Sequence, residues 1–304
     1  MSLSVKEIIT LNTLFGVGSK HIYPIAFQPC NAPLLERIRQ NNIPFKIDGK
    51  RTSITAQHIL EAEQTADRII TDSIQSKIGL LSFFDDNYPD KLRRTIDEKG
   101  NATPPLLLYY KGDLSLLHMP CATIVGTRQP SVAGVKASSY LSQQLARQGF
   151  CIVSGLALGC DTVAHKSALN ENGKTIAILA HGLDIITPYS NKALAHEIVT
   201  KGGLLLSEYP IHTSFSKYSF ISRDRLQASL SNLCIVVQTG INGGCMHVSN
   251  ATLLSHKPLY TVYFKDETTR NLDITAGNDY LVKKGATYLT GNDNLDELFL
   301  RFKN

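Results

Sequence analysis

The chain has 304 residues, 43% of them hydrophobic and 19% charged, and a formal net charge of +5. That composition excludes a disordered chain and is enough for one large domain plus a small one. The mild positive excess suits a polyanionic partner without requiring one. No apolar run approaches the roughly 20 residues of a membrane helix. The start, MSLSVKEIIT, also lacks a basic-then-apolar leader, so the chain is expected in the cytoplasm with no membrane partner.

Residues 1–77 read as a helical domain. Val5, Ile8, Ile9 and Leu11 to Phe15 mark an apolar helix that stops at Gly16-Val17-Gly18, and Leu34 to Ile38 mark a second. Ile54 to Ile78 is a long third stretch, with Ile59, Ala62, Ala66, Ile69, Ile70 and Ile74 roughly at helical spacing.

From Gly79 the grammar changes. Strands are predicted at Leu80–Phe84, Leu106–Tyr110, Ala122–Val125, Cys151–Ser154, Thr175–Leu179, Leu204–Ser207, Leu233–Gln238 and Leu259–Val262. Helices are predicted at Ser131–Gln148, Thr162–Leu169, Asn191–Thr200, Ser222–Ser231 and Gly244–Ser255. Near-continuous apolar strands alternating with helices indicate an α/β domain over residues 78–304. Its sheet is mostly parallel, covered on both faces and joined by right-handed crossovers. The six cysteines, Cys30, Cys121, Cys151, Cys160, Cys234 and Cys245, are scattered and form no CxxC pair. Four of them sit in or beside apolar runs and read as small hydrophobes, and the set does not read as a disulfide scaffold or a metal site.

In such a sheet, ligands bind beyond the carboxyl ends of the strands. Gly126-Thr127-Arg128 follows one strand and precedes a helix start at Ser131, the layout of an anion cradle with a guanidinium beside it. The same residues also fit a strand-ending glycine, a solvated arginine and a helix cap. Ser154-Gly155-Leu156 follows the next strand, with Asp161 as a helix cap and His165 as a packing residue. Farther along, Lys217, Phe220, Arg223 and Arg225 space cations among aromatics, a pattern that suits single-stranded nucleic acid. Gly243-Gly244 would let a ligand approach the backbone closely. No HExxH, GxSxG or Walker A motif and no close carboxylate pair occurs, so neither a catalytic residue nor a cofactor is expected.

An ordered set of motifs then resembles the DNA-processing protein A family (DprA, also Smf). It begins at Tyr88-Pro89 and Pro104 to Asp113 and continues through Ile124 to Arg128, Val153 to Ala157, Gly159-x-Asp161 and Ala164-His165. Gly173 to Ala177, Gly182-Leu183-Asp184, Leu206-Ser207-Glu208, Arg223-x-Arg225, Gly277-Asn278 and Leu295 to Leu298 follow in the family's order. The resemblance implies an extended Rossmann-like domain that binds single-stranded DNA and forms a homodimer. It also implies that the chain loads the RecA recombinase in natural transformation and recombination. The leading segment is similar to the family's helical (SAM or helix-hairpin-helix-like) domain, and Leu14 to Gly18 resemble a helix-hairpin-helix turn. The family's optional C-terminal winged helix is not expected.

The chain departs from the family's pattern at several points near the expected pocket. Leu158 replaces a basic residue, Cys160 an Ile, and Ala180-His181 a Gly-Thr-like pair. Asp224 brings an acid where an Arg-Asn-Arg segment is usual; Gly243 to His247 and Lys265 also differ. The residues expected to bind the strand are Gly126, Thr127, Arg128, Ser154, Gly155, Leu156, Lys217, Phe220, Arg223, Arg225, Gly243 and Gly244. The competing readings are a phosphoribohydrolase-like enzyme and a mononucleotide-binding module. The enzyme is disfavoured because the Asn242 to Cys245 region lacks that family's Gly-Thr turn and nearby Glu.

Overall fold

The computed structural model describes residues 2–15, 22–28, 31–43, 45–47 and 50–303. The Gly16-Val17-Gly18 turn and Cys30 lie outside the described residues. The leading segment runs through α1 (Val5–Phe15), α2 (Ile22–Ala26), α3 (Leu34–Gln40), a ribbon of β1 (Phe45–Ile47) and β2 (Lys50–Thr52), and α4 (Ala56–Gln75). The antiparallel ribbon is an addition to the helices predicted there. Thr55 starts α4 because its hydroxyl accepts from His58 N–H while the His58 ring accepts from Thr55 N–H, a reciprocal cap.

Then follow β3 (Gly79–Ser82), α5 (Asp90–Arg93), β4 (Leu107–Gly112), β5 (Cys121–Val125), α6 (Val132–Arg147), β6 (Cys151–Ser154) and α7 (Cys160–Asn170). β7 (Thr175–Leu179), α8 (Lys192–Thr200), β8 (Leu204–Ser207), α9 (Lys217–Leu230), β9 (Leu233–Val236), α10 (Cys245–Leu254) and β10 (Leu259–Val262) continue the alternation. The chain closes through α11 (Glu267–Arg270), α12 (Ala276–Lys283), β11 (Thr287–Leu289) and α13 (Leu295–Leu300).

Among the described residues the main sheet has nine strands in the order β11-β10-β9-β5-β6-β7-β8-β4-β3. Strands β11 to β8 are parallel, and the β3–β4 hairpin joins β8 antiparallel. Strands β5, β6, β7, β8 and β9 are buried at every residue, which explains their unbroken apolar runs. Alternation still sorts the side chains: Ala177 and Leu179 of β7 face α8 and the leading helices, while Ile176 and Ile178 face α9. Cys121, Cys151, Cys160, Cys234 and Cys245 are buried and free, packed as small apolar groups. No described helix is long and apolar enough to cross a membrane.

The chain order reverses at β5. From β5 it winds through β6 and β7 to β8, then α9 carries it back to β9 on the other side of β5. The loops after β5 and β9 therefore diverge and leave a crevice at the switch point.

Candidate nucleic-acid interface

A cleft of about 350 Å³ occupies that crevice. Gly126, Thr127 and Arg128 form one wall, Thr239, Gly240, Gly243 and Gly244 another, and Phe220, Arg223, Asp224 and Gln227 of α9 the third. These α9 positions are spaced three, four and seven residues from Phe220, so they share one helix face.

Local geometry holds these loops rigid. Thr127 N–H donates to Gln238 O at 2.7 Å, and Ser131 N–H donates to Gln238 Oε1 at 2.9 Å, tying the β5 loop to the end of β9. Asn278 locks the β9 loop by accepting from Thr239 N–H and donating to Val237 O and Val262 O. Ser131 caps α6 by accepting from Gly134 N–H at 3.1 Å.

Seven of the twelve expected residues line the cleft: Gly126, Thr127, Arg128, Phe220, Arg223, Gly243 and Gly244. Arg128 is exposed, and its guanidinium lies 5.7 Å from the Phe220 ring centroid. No ion pair engages it among the described residues. A Cβ added to Gly244 would meet nothing within 4 Å, so the protein's own packing does not require glycine there.

Four of the remaining five are engaged inside the protein, and the fifth lies outside the cleft. The Ser154 hydroxyl is fully buried and donates to Ile124 O at 2.6 Å. Gly155 N–H donates to Asp161 Oδ2 at 3.1 Å, and a Cβ at Gly155 would lie 1.9 Å from Arg223 Nη1. Leu156 is fully buried. These three therefore brace the cleft from behind instead of facing a phosphate. Arg225 is buried in a two-pronged pair with Glu208, both bonds at 2.7 Å, on the side of α9 away from the cleft. Tyr23 of α2 lies beside that pair, and burial pushes its phenol up to about 12. Lys217 is exposed on the first turn of α9, outside the cleft.

Arg223 lines the cleft without being a free cation. It is 7% exposed, donates to Ile178 O at 2.7 Å and pairs with Asp224 at 2.9 Å. Burial, reinforced by the nearby Asp161 charge and opposed by Arg223, lifts the Asp224 carboxyl to about 6. Burial also raises Asp161, against the pull of Arg223 and two backbone N–H groups. The structure thus brings two carboxylates, 63 positions apart in sequence, to one guanidinium. His165 is buried and held neutral, with burial lowering it to about 3, as suits a packing residue.

Sequence reading missed Gln227. It is 1% exposed, lines the cleft, and leaves Nε2 without an acceptor among the described residues. The one signal available was its position, seven residues after Phe220 on the same helix face. Among the described residues no group of three His, Cys, Asp or Glu side chains is placed to hold a metal.

Comparison with known proteins then adds the lineage. The family model of the DNA recombination-mediator protein A matches residues 79–299. A DNA processing protein DprA from Streptococcus pneumoniae is 34% identical over 223 residues, which is 73% of this chain and 74% of that protein. A Protein Smf from a Synechocystis species is 37% identical over 205 residues, 66% of this chain but only 47% of the relative's length. The X-ray structure of the Streptococcus pneumoniae DprA superposes with a TM-score of 0.77 at 28% identity, covering 98% of this chain and 99% of that one. A Helicobacter pylori DNA processing protein A, whose single-stranded-DNA binding mode has been described, superposes with a TM-score of 0.63 at 29% identity. That match covers 75% of this chain and 98% of that one.

Proposed function

Because the chain belongs to the DNA recombination-mediator protein A family, we propose that its switch-point cleft captures single-stranded DNA without regard to sequence. The observation that carries this reading is Arg128 beside Phe220: a guanidinium in no ion pair among the described residues and an aromatic face, both lining one cleft. A cation for the backbone next to a ring for a base is the minimal single-strand platform. Gly244, whose Cβ position is open space, gives a ligand close approach to the backbone on a wall it shares with Gly243, with Gly126 and Thr127 on another. Gln227 Nε2, unpartnered among the described residues, offers a donor to a base edge or phosphate. Ser154, Gly155, Leu156 and Arg225 support this surface from inside. The cleft's volume of about 350 Å³ is that of a small-ligand site, so single strands should bind more tightly than duplex of equal length. An anisotropy titration over a salt series tests this; log affinity should fall with log salt by roughly 0.7 per neutralised phosphate. Equal affinity for duplex would refute the reading.

The proposal extends, on the family resemblance, to a homodimer that hands its strand to RecA during DNA uptake and recombination. Growth of RecA filaments on covered strands, with and without the chain, tests that step. A second reading, hydrolysis of a nucleotide, draws support from Asp161 and Asp224 meeting at the cleft. Both are committed, Asp161 to the N–H groups of Gly155 and Ala157 and Asp224 to Arg223. No free base should therefore be released from nucleoside monophosphates.

A further inference from the structure

The cleft uses one side of α9, and the other side faces a second and larger cavity of about 560 Å³. The helix divides its residues between them. Phe220, Arg223, Asp224 and Gln227 face the first, whereas Tyr218, Ser222 and Arg225, again at helical spacing, face the second.

The second cavity is built for a ring. Three tyrosines from three separate segments line it: Tyr23 of α2, Tyr209 after β8, and Tyr218. Tyr218 is 82% exposed, so its ring adds little to the core. The hydroxyl of Thr103, also in the lining, is buried and finds no partner among the described residues. The charges there nearly cancel: Glu208 neutralises Arg225, Glu98 pairs with His247, and Asp97 and Lys99 bring one charge of each sign. With no net positive charge, such a place does not favour a backbone phosphate. It suits a nucleobase, which offers a face to stack and edges to hydrogen-bond. Lys217 stands exposed on the first turn of α9, in the lining of neither cavity, and joins no ion pair among the described residues.

We propose that the second cavity holds a further base of the same single strand, whose backbone crosses the first turn of α9 at Lys217. This rests on the reading of the first cleft as a single-strand site. It also gives Lys217 a role that the first cleft does not provide.

The chain contains no tryptophan, so Tyr218→Trp places a single fluorescent reporter at the second cavity. With the full chain and oligothymidylates of increasing length, the indole emission should be quenched once the oligomer is long enough to cross α9. Tyr218→Ala should weaken the longer oligomers about fivefold to tenfold, near the low end for a lost base stack. It should leave the shortest binding oligomer unchanged, and Tyr218→Phe should retain affinity at every length. If anisotropy shows binding while the indole stays unquenched and Tyr218→Ala binds normally at all lengths, the strand never enters the second cavity and the inference falls. If the unaltered chain binds no oligomer at all, the single-strand reading itself fails, and this inference with it.

Discussion

Replacing Asp224 with Asn separates the electrostatics of the cleft from its shape. The carboxyl is nine-tenths buried, and its pKa moves from an ordinary 3.8 to about 6, because burial and then Asp161 disfavour the charge more than Arg223 favours it. At about 1.4 kcal/mol per tenfold change in proton affinity, ionising Asp224 withdraws roughly 3 kcal/mol from the fold. The sign follows from the raised pKa. The loss sets in as pH rises from about 4 to about 6, where the unfolded chain has released the proton and the folded one has not, and it is complete above 6. An Asn keeps an oxygen for Arg223 Nε without the charge, so Asp224→Asn should recover about 1–2 kcal/mol at pH 7.5. It should gain nothing at pH 4.

The same charge opposes DNA. A carboxylate on the order of 8 Å from a phosphate, at effective dielectric constants between about 20 and 80, repels it by roughly 0.5–2 kcal/mol. Asp224→Asn should therefore tighten oligothymidylate binding at pH 8 by about twofold to thirtyfold, with salt screening favouring the low end. The unaltered chain should gain affinity as pH falls through 6. Asp161, Arg223 and His247 also act on Asp224, and the difference between the two proteins at each pH isolates Asp224 from them. Urea unfolding and anisotropy at pH 4, 5.5 and 8 are the measurements. A variant with unchanged affinity at pH 8 and the same pH slope would refute the argument.

Arg128→Ala should weaken single-strand binding for all sequences and flatten the salt slope by roughly 0.7. Arg128→Lys should rescue it only in part. Lys174, just before β7 and bonded to Lys201 O at the opposite edge of the sheet, is the control: Lys174→Ala should bind normally, and equal impairment would put the site on the wrong edge. Gly244→Ala should leave the melting temperature within a degree or two while reducing affinity, since its Cβ enters open space on the cleft wall. Gly155→Ala should do the reverse in order of severity, destabilising by about 1–3 kcal/mol or more as its Cβ meets Arg223; equal thermal stability of the two would contradict the packing described. Arg225→Met should destabilise by about 3–5 kcal/mol, because it strands the buried Glu208, a loss that Arg225→Met combined with Glu208→Gln should relieve in part.

The strands were readable because parallel strands buried on both faces leave unbroken apolar runs, and all eight predicted strands occur. Their direction was not readable. Nothing in Leu80 to Phe84 or Leu106 to Tyr110 says that β3 and β4 run antiparallel to their neighbours. Helix α9 begins at Lys217, five residues before the predicted start. Both its sides are buried, so it shows no apolar stripe. The reciprocal cap between Ser216 and Ser219 was the available signal. At the site, glycines and Arg128 stood out because they follow strands. That Ser154, Gly155, Arg223 and Arg225 are occupied internally depends on Ile124, Asp161, Ile178 and Glu208, partners that residue spacing does not reveal.

The leading helices and the sheet share one apolar cluster, in which Ile8, Ile9, Leu11 and Ile25 pack with Tyr109, Ala177, Ile198 and Leu205. Melting either part alone would bare that cluster to water, so the two should unfold together in a single cooperative transition. A chain trimmed to begin at residue 78 would carry an oily sheet face of the kind that drives self-association. It would also leave the Arg225–Glu208 pair without Tyr23 at its side. Trimming the helices would therefore loosen α9, the helix that forms a wall of both cavities, even though no residue of the cleft itself had been removed.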